Sequence, residues 1–331
     1  MNKKILVLIS IFILLIASMI FYLSAGSVAI SVRDILSNPE NEMSGKILFD
    51  IRLPRLINVL IVGSALAVSG LLLQALIRNY LAEPGLMGIS AGAGLGAILM
   101  FLLPVSVPFY LITPVSFIFA IGASMIIYFT AKGLNYKYTN FINSNKIILA
   151  GIAISAFLSS LNGFLLILSG KNVTQIIYWL NGGFGGKAWN EVYMSLPVVI
   201  AGIVMALTMS KSLNILALGE EMAASMGLRV KMFQIACVGV SALLAASAVS
   251  VAGIISFAGL VVPNMARILL GSDYRYTVPA SVMLGALLLT ISDLIARVII
   301  LPAELPTGII TAFIGAPFFI YLILKKNSEI N

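Results

Sequence analysis

Residues 232–270 read MFQIACVGVSALLAASAVSVAGIISFAGLVVPNMARILL, 39 positions with a single charge at Arg267. As one helix this stretch would be about 58 Å long, against a hydrocarbon core of about 30 Å. Gly253, Gly259 and Pro263 interrupt it, so it divides into a longer span ending near 256 and a short one near 258–270. Eight further apolar segments surround it, near 5–25, 56–77, 86–103, 113–131, 147–168, 192–209, 277–300 and 308–324. The division therefore sets the count at ten spans, and an even count returns both termini to one side.

Composition supports the same class. The chain has 331 residues, 60% hydrophobic and 10% charged, with mean hydropathy +1.10. Soluble domains carry about 25% charged residues, and a closed barrel would show short alternating segments in place of continuous apolar runs. The fold class is all-α: a polytopic membrane protein of about ten transmembrane helices, one transmembrane domain over residues 1–331. Lys3 and Lys4 followed by an apolar run imitate a signal peptide, but Ile5–Leu23 has spanning length and reads as the first span. With the N-terminus in the cytoplasm, 13 of the 20 Lys and Arg fall inside and 7 outside, which supports both termini being cytoplasmic. The net charge of +8 is spread over loops without a basic block, which suits anionic lipid and gives no sign of nucleic-acid binding. The chain has no histidine and one cysteine, Cys237, so His-based triads, His metal sites and an intrachain disulfide are excluded.

A weak repeat runs through the apolar background. Ala82-Glu83, Ile89-Ser90-Ala91 and Gly94 align without gaps on Ala303-Glu304, Ile310-Thr311-Ala312 and Gly315. The two copies enter the membrane from opposite sides, the pattern of inverted-topology transporters; chance similarity between small-residue helices is the plain alternative. The stretch 79–94, with Glu83, Pro84 and Gly85, is rich in breakers and small residues. It reads as a short or broken helix beside a path, or as tight helix packing. Pro263, Asn264 and Arg267 read as a kink in the short eighth span.

Between two spans lies Leu218–Gly227, LGEEMAASMG. It is a capped amphipathic helix with Glu220 and Glu221 in its first turn, where negative charge suits the dipole, and Gly227 as its stop. It is a handle for a soluble partner, or else a solvated loop. The cytoplasmic region around it covers about 211–231. On the outer side, Arg52, Arg55 and Arg297 could pair carboxylates of a partner, or snorkel to headgroups; Arg297 could also pair with Asp293 one turn away. Gly182–Lys187, GGFGGK, imitates a phosphate loop but is one residue short, with Ala188 where Ser or Thr must hold Mg²⁺. Any ATP chemistry therefore belongs to another chain. Trp179 and Trp189 flank this loop as interfacial anchors.

Together RLPR at 52–55, NYLAEPGLMGISAGAG at 79–94, WLNGGFGGKAW at 179–189, LGEEMAASMGL at 218–228, the stretch 252–275, SDLIAR at 292–297 and the stretch 304–323 resemble the permease subunits of ABC importers for iron-siderophores, haem and cobalamin. The resemblance covers most of the chain. It implies ten helices per subunit and a dimer, with itself or a sister permease. It also implies two ATP-binding subunits below and an extracytoplasmic substrate-binding protein above. The chain itself would bind no cofactor; ATP and Mg are used by the partner subunits. The segment holding Gly219, Glu220, Glu221, Ala223, Ala224 and Gly227 would be the coupling helix seated in the ATPase cleft. Arg52, Arg55 and Arg297 would meet glutamates of the binding protein. Asn79 and Leu81, with Ser144 and Asn145 by a looser match, would belong to the cytoplasmic gate. Tyr80 stands where the family has Pro, Asn264 where it has His, and Asp273-Tyr274-Arg275 where it has Asp-His-Arg. The expected function is translocation of a ferric-siderophore-type complex across the cytoplasmic membrane, with haem or cobalamin as alternatives. The rival is an ion-coupled secondary transporter, which would need ionisable residues deep in the spans.

Overall fold

The computed structural model describes residues 3–25, 45–103, 108–132 and 144–328. The chain is all helical among them. In order these are α1 (Lys3–Ser24), a π turn (Ile47–Arg52) running into α2 (Leu53–Ile77), α3 (Ile89–Leu102), α4 (Ile112–Lys132), α5 (Ser144–Leu168), α6 (Val173–Leu180), α7 (Trp189–Ala217), α8 (Glu220–Ser225), α9 (Val230–Ala252), α10 (Ala258–Leu270), α11 (Tyr274–Val298) and α12 (Thr307–Ser328). Seven of these segments are long and apolar enough to cross a membrane, and α3, α10 and α12 are shorter apolar helices. Together they make the ten expected spans.

The core forms around α2. Its apolar window is 89% buried, against 11% for α1 and for α5, so α2 is the central post. Hydrophobicity cannot drive helices together in lipid, and close backbone contact takes its place. A Cβ on Gly70 would stand 1.8 Å from the Gly259 carbonyl oxygen, and one on Gly63 would stand 2.3 Å from that of Gly285. Glycine at these positions lets α10 and α11 press against α2. Ser69 and Ser241 join α2 to α9 by donating to each other's carbonyls at 2.8 and 3.0 Å.

The division of the long apolar run falls where the sequence places it. Helix α9 ends at Ala252, whose carbonyl accepts from Gly183 N–H at 2.7 Å. Residues 253–257 then run non-helically, with positive φ at Gly253 and Phe257, before α10 begins. From Ser241 to Ala252, α9 rises about 16 Å, yet Gly259 lies back beside Gly70. The short stretch thus recrosses much of the depth as irregular backbone, tolerated because protein surrounds it. Glu83 Oε1 accepts from Phe257 N–H at 3.0 Å, at the foot of that stretch. Pro263 inside α10 cannot donate to the Gly259 carbonyl; the Gln74 side chain donates to it instead at 3.2 Å.

Helix directions define two ends. Arg78, just past α2, reaches the Leu216 carbonyl near α8, and Lys4 lies 4.8 Å over the Tyr276 ring. Helix α12 starts beside Asp293 at the far end and runs back. Both ends of the described chain therefore lie on the α8 side. The two Ala-Glu copies sit at opposite ends of α2, Glu83 holding Phe257 and Glu304 holding Arg55 at 2.8 Å, as opposite entry requires.

Candidate functional site

At the α8 end, Gly219 takes φ 124 and Gly227 φ 86. These two glycines turn the chain into and out of a single short helix. Ala223 is fully buried among Leu216 and Val230, because a small residue lets α8 lie close on the ends of α7 and α9. The other face is presented outward: Leu218, Met222 and Met226 are exposed, and Glu221, Ala224 and Ser225 lie beside them. Glu220 Oε1 accepts from Gln234 at 3.1 Å, which fixes α8 against α9. This is a rigid, acid-edged apolar knob. The adjoining corner is equally tied: Asn214 donates to Asp273 at 2.8 Å and accepts from Tyr274 N–H at 3.0 Å. Hydrogen bonds from Arg275 hold the Asp273 carboxyl well below the usual carboxylate range, with help from Asn214.

The Asn79–Leu81 turn lies at the same end and is exposed. Asn79 Oδ1 accepts from Leu81 N–H at 2.9 Å, a side-chain turn that does not need a proline. Pro84 packs on Gly259, whereas Gly85 has open space around it. Asn264 and Arg267 face this turn from α10. Ser144 and Asn145 start α5, and their side chains lie outside the described residues.

At the far end Arg52, Arg55 and Arg297 are all buried and engaged by the protein itself. Arg55 makes a two-pronged pair with Asp293, 2.9 Å on both arms, the geometry that favours guanidinium over ammonium. Asp293, with no exposed surface, also accepts from Tyr22 and, at 2.8 Å, from Thr307. One carboxylate thereby joins α1, α2, α11 and the start of α12. Its partner is Arg55 and not Arg297, whose guanidinium stacks 4.9 Å over the Tyr22 ring. Arg52 donates to the Leu23 carbonyl at 2.6 Å, and Arg297 reaches that of Ala25 at 3.4 Å. Both cap the C-terminus of α1, where cations suit the dipole. Arg297 Nη1 has no hydrogen-bond partner among the described residues.

With this geometry established, likeness to known proteins is specific. The FecCD transport family matches residues 14–325. The chain belongs to the FecCD transport family. The hemin transport system permease protein HmuU of Yersinia pestis is 35% identical over 309 residues, 92% of this chain and 91% of that one. The Fe(3+) dicitrate transport system permease protein FecC of Escherichia coli is 37% identical over 280 residues, 84% of this chain and 82% of its own. The vitamin B12 import system permease protein BtuC of Vibrio vulnificus is 37% identical over 310 residues, covering 92% and 90%. A solved ABC transporter described as of the metal-chelate type, in an inward-facing conformation, superposes with TM-score 0.85 at 28% identity, covering 96% of this chain and 99% of that one.

The remaining sequence motifs of this FecCD chain have structural places. In the phosphate-loop look-alike, the Gly182 carbonyl accepts from Gly308 N–H at 3.0 Å, and a Cβ on Gly182 would meet the Ile254 carbonyl at 2.3 Å. Gly182, Phe184 and Lys187 are buried, whereas Gly186 is exposed. Burial lowers the Lys187 ammonium there to about 8, with Glu191 opposing the shift. Trp179 is buried in the core and is not the interfacial anchor expected of it. Trp189 is half-buried, donates to the Phe49 carbonyl at 3.0 Å and stacks on Tyr193. Sequence reading missed Tyr22, Gln74 and Thr307. Gln74 alone had a signal, as an amide inside an apolar span; the other two have partners hundreds of residues away or across a turn.

Proposed function

We propose that this chain is the membrane-embedded permease of an ABC importer, and that it passes a ferric-siderophore-type iron complex across the cytoplasmic membrane. The observation that supports it most is α8: a six-residue helix, rigidly seated by Ala223 and Gln234, that presents Leu218, Met222 and Met226 with two glutamates at its start. Nothing in the bundle needs that exposed face. It suits a groove on ATP-binding subunits, which would put the α8 end and both termini in the cytoplasm. Two permease copies, or this chain with a sister permease, would frame the path, two ATP-binding subunits would dock at α8, and a binding protein would deliver cargo to the far end. There Arg297, with a guanidinium nitrogen that has no partner among the described residues, is better placed to meet partner carboxylates than Arg55, which Asp293 engages on two arms. The relatives named for hemin, ferric citrate and vitamin B12 make the iron chelate, haem and cobalamin the three cargoes to compare.

The test is uptake into proteoliposomes containing the chain with its ATP-binding subunits, supplied with a binding protein charged with ferric hydroxamate, hemin or cobalamin. ATP-dependent accumulation of the ferric chelate, unaffected by a proton-gradient uncoupler and abolished by Glu221→Arg, is expected. Accumulation of only hemin or cobalamin moves the cargo within the same importer class. Uptake that ignores ATP and collapses with the uncoupler refutes the importer reading in favour of an ion-coupled carrier.

A further inference from the structure

The α8 end contains a half-buried cation, Arg267 on α10, that lacks an acidic partner among the described residues. Its Nη1 donates to Gln74 Oε1 at 2.7 Å and to Asn264 Oδ1 at 3.1 Å, and the Tyr274 side chain lies against the same guanidinium. What faces the guanidinium is the Tyr80 ring, 4.6 Å away. With Tyr80 half-exposed, such a cation–π contact is weaker than a desolvated one, so this ring partly offsets the missing carboxylate. The main chain of the same residue is also held: Asn264 Nδ2 donates to the Tyr80 carbonyl at 3.1 Å. Gln74 closes the arrangement by reaching the Ala82 carbonyl at 3.3 Å. Ring, carbonyl and following residue of the 79–82 turn are thus fastened to α10 and to the end of α2. Two residues that depart from the resembled pattern, Tyr80 and Asn264, touch each other.

The clasp connects to α8 by two routes. Arg78, the residue before the turn, donates to the Leu216 carbonyl at 3.3 Å, three residues ahead of the α8 cap. Asn214, a half-turn earlier, binds Asp273 and the Tyr274 main chain, and Tyr274 lies beside Arg267. We propose that Tyr80, Asn264 and Arg267 form a clasp that makes the Asn79–Leu81 turn move with α10, and that Arg78 and Asn214 convey displacement of α8 to it. These are positioning residues: they would relay motion without touching cargo or nucleotide. The proposal rests on the reading of α8 as the ATPase contact. Its physical basis is that the ring contact and the Asn264 bond hold the side chain and main chain of Tyr80 to the same helix, so the turn and α10 move together.

The experiment uses the full complex with its ATP-binding subunits in proteoliposomes, Cys237→Ser as background and a spin label on Leu81→Cys. The label is read with and without ATP and vanadate, and ATP hydrolysis is measured in parallel. In the background protein the nucleotide should change the label's mobility. Tyr80→Ala and Arg267→Ala should lose that change while hydrolysis continues, and Tyr80→Phe, which keeps the ring, should retain it. A merely structural residue would not separate hydrolysis from motion in this way. Persistence of the signal in Tyr80→Ala or Arg267→Ala overturns the clasp. Should those variants fail to assemble, Asn264→Ala, which leaves the guanidinium on its ring, should weaken the signal; an unchanged signal there refutes the proposal. No ATP hydrolysis and no nucleotide response in the background protein would overturn the importer reading, and the clasp with it.

Discussion

Replacing Asp293 by leucine should be among the most damaging single changes in this protein, and replacing Arg55 along with it should undo most of the damage. Asp293 is completely buried and accepts two bonds from Arg55, one from Tyr22 and one from Thr307. In Asp293→Leu the Arg55 guanidinium keeps only Glu304, whose side chain is 36% exposed; so exposed a partner contributes at most about 1 kcal/mol. Stranding one member of a buried pair costs about 3–5 kcal/mol, and two hydroxyls lose their acceptor besides. A loss of about 4 kcal/mol or more follows, dominated by the guanidinium. Arg55→Met alone should be comparable, because the carboxylate is then left with two hydroxyls. Removing both charges exchanges the pair for apolar packing, which is often close to neutral, so the double variant should fall within about 2 kcal/mol of the parent. The assay is equilibrium unfolding in detergent micelles for the parent, both singles and the double. A double variant destabilised by the sum of the singles would refute the reasoning, because it would show that the two charges do not act on each other. Asp293→Asn, which keeps the shape and an acceptor for Tyr22 or Thr307, should land between parent and leucine.

Gly70→Ala should abolish the monodisperse folded protein, since its Cβ would lie 1.8 Å from the Gly259 carbonyl oxygen and backbone cannot yield as a side chain can; Gly85→Ala, with nothing within 4 Å, is the matched control. An unchanged gel-filtration profile for Gly70→Ala would contradict the α2–α10 contact. Lys187 sets a pH dependence. Its folded-state ammonium is lowered to about 8 from 10.5, so the unfolded chain binds the proton more tightly and stability must rise with pH between those values, by on the order of 3 kcal/mol. Lys187→Met should flatten this rise and stabilise the protein at pH 7; parallel melting curves for the two proteins across pH 8–10.5 would dismiss it. Finally, Arg297→Glu should weaken binding-protein docking without unfolding the chain, whereas Arg55→Glu should unfold it, by setting a third carboxylate against Asp293 and Glu304. Equal and intact folding of the two, measured by melting beside a pull-down, would reverse that assignment.

Local pattern made some of this legible. The ten helices follow from run length against membrane thickness, and Gly253 and Pro263 mark the break and the kink because each has a backbone constraint of its own. The short helix α8 is readable from two glycines that bracket helix formers. Other features have no local signature. The 253–257 stretch looks like ordinary apolar sequence, and its irregular course depends on Glu83, 174 positions away. Helix α6 and the burial of Trp179 depend on Gly253, whose missing Cβ admits the Trp179 carbonyl. The arginines mislead for the same reason. A guanidinium beside a predicted outer loop reads as surface, and only the fold brings Asp293 across 238 positions to Arg55.

The two ends of the molecule solve one problem differently, and the difference bears on which end moves. Each end sets a guanidinium against α2, buried at Arg55 and half-buried at Arg267. At the far end Arg55 is met by a carboxylate in two-pronged contact, so separating the helices there would expose two uncompensated charges, and α1, α2, α11 and α12 are fixed as one piece. At the α8 end Arg267 is met by a ring and two amide oxygens. Parting those contacts strands one charge, and near water a hydrated guanidinium costs far less than an unpaired buried carboxylate. The α8 end can therefore rearrange at a lower cost than the far end, which holds its registry.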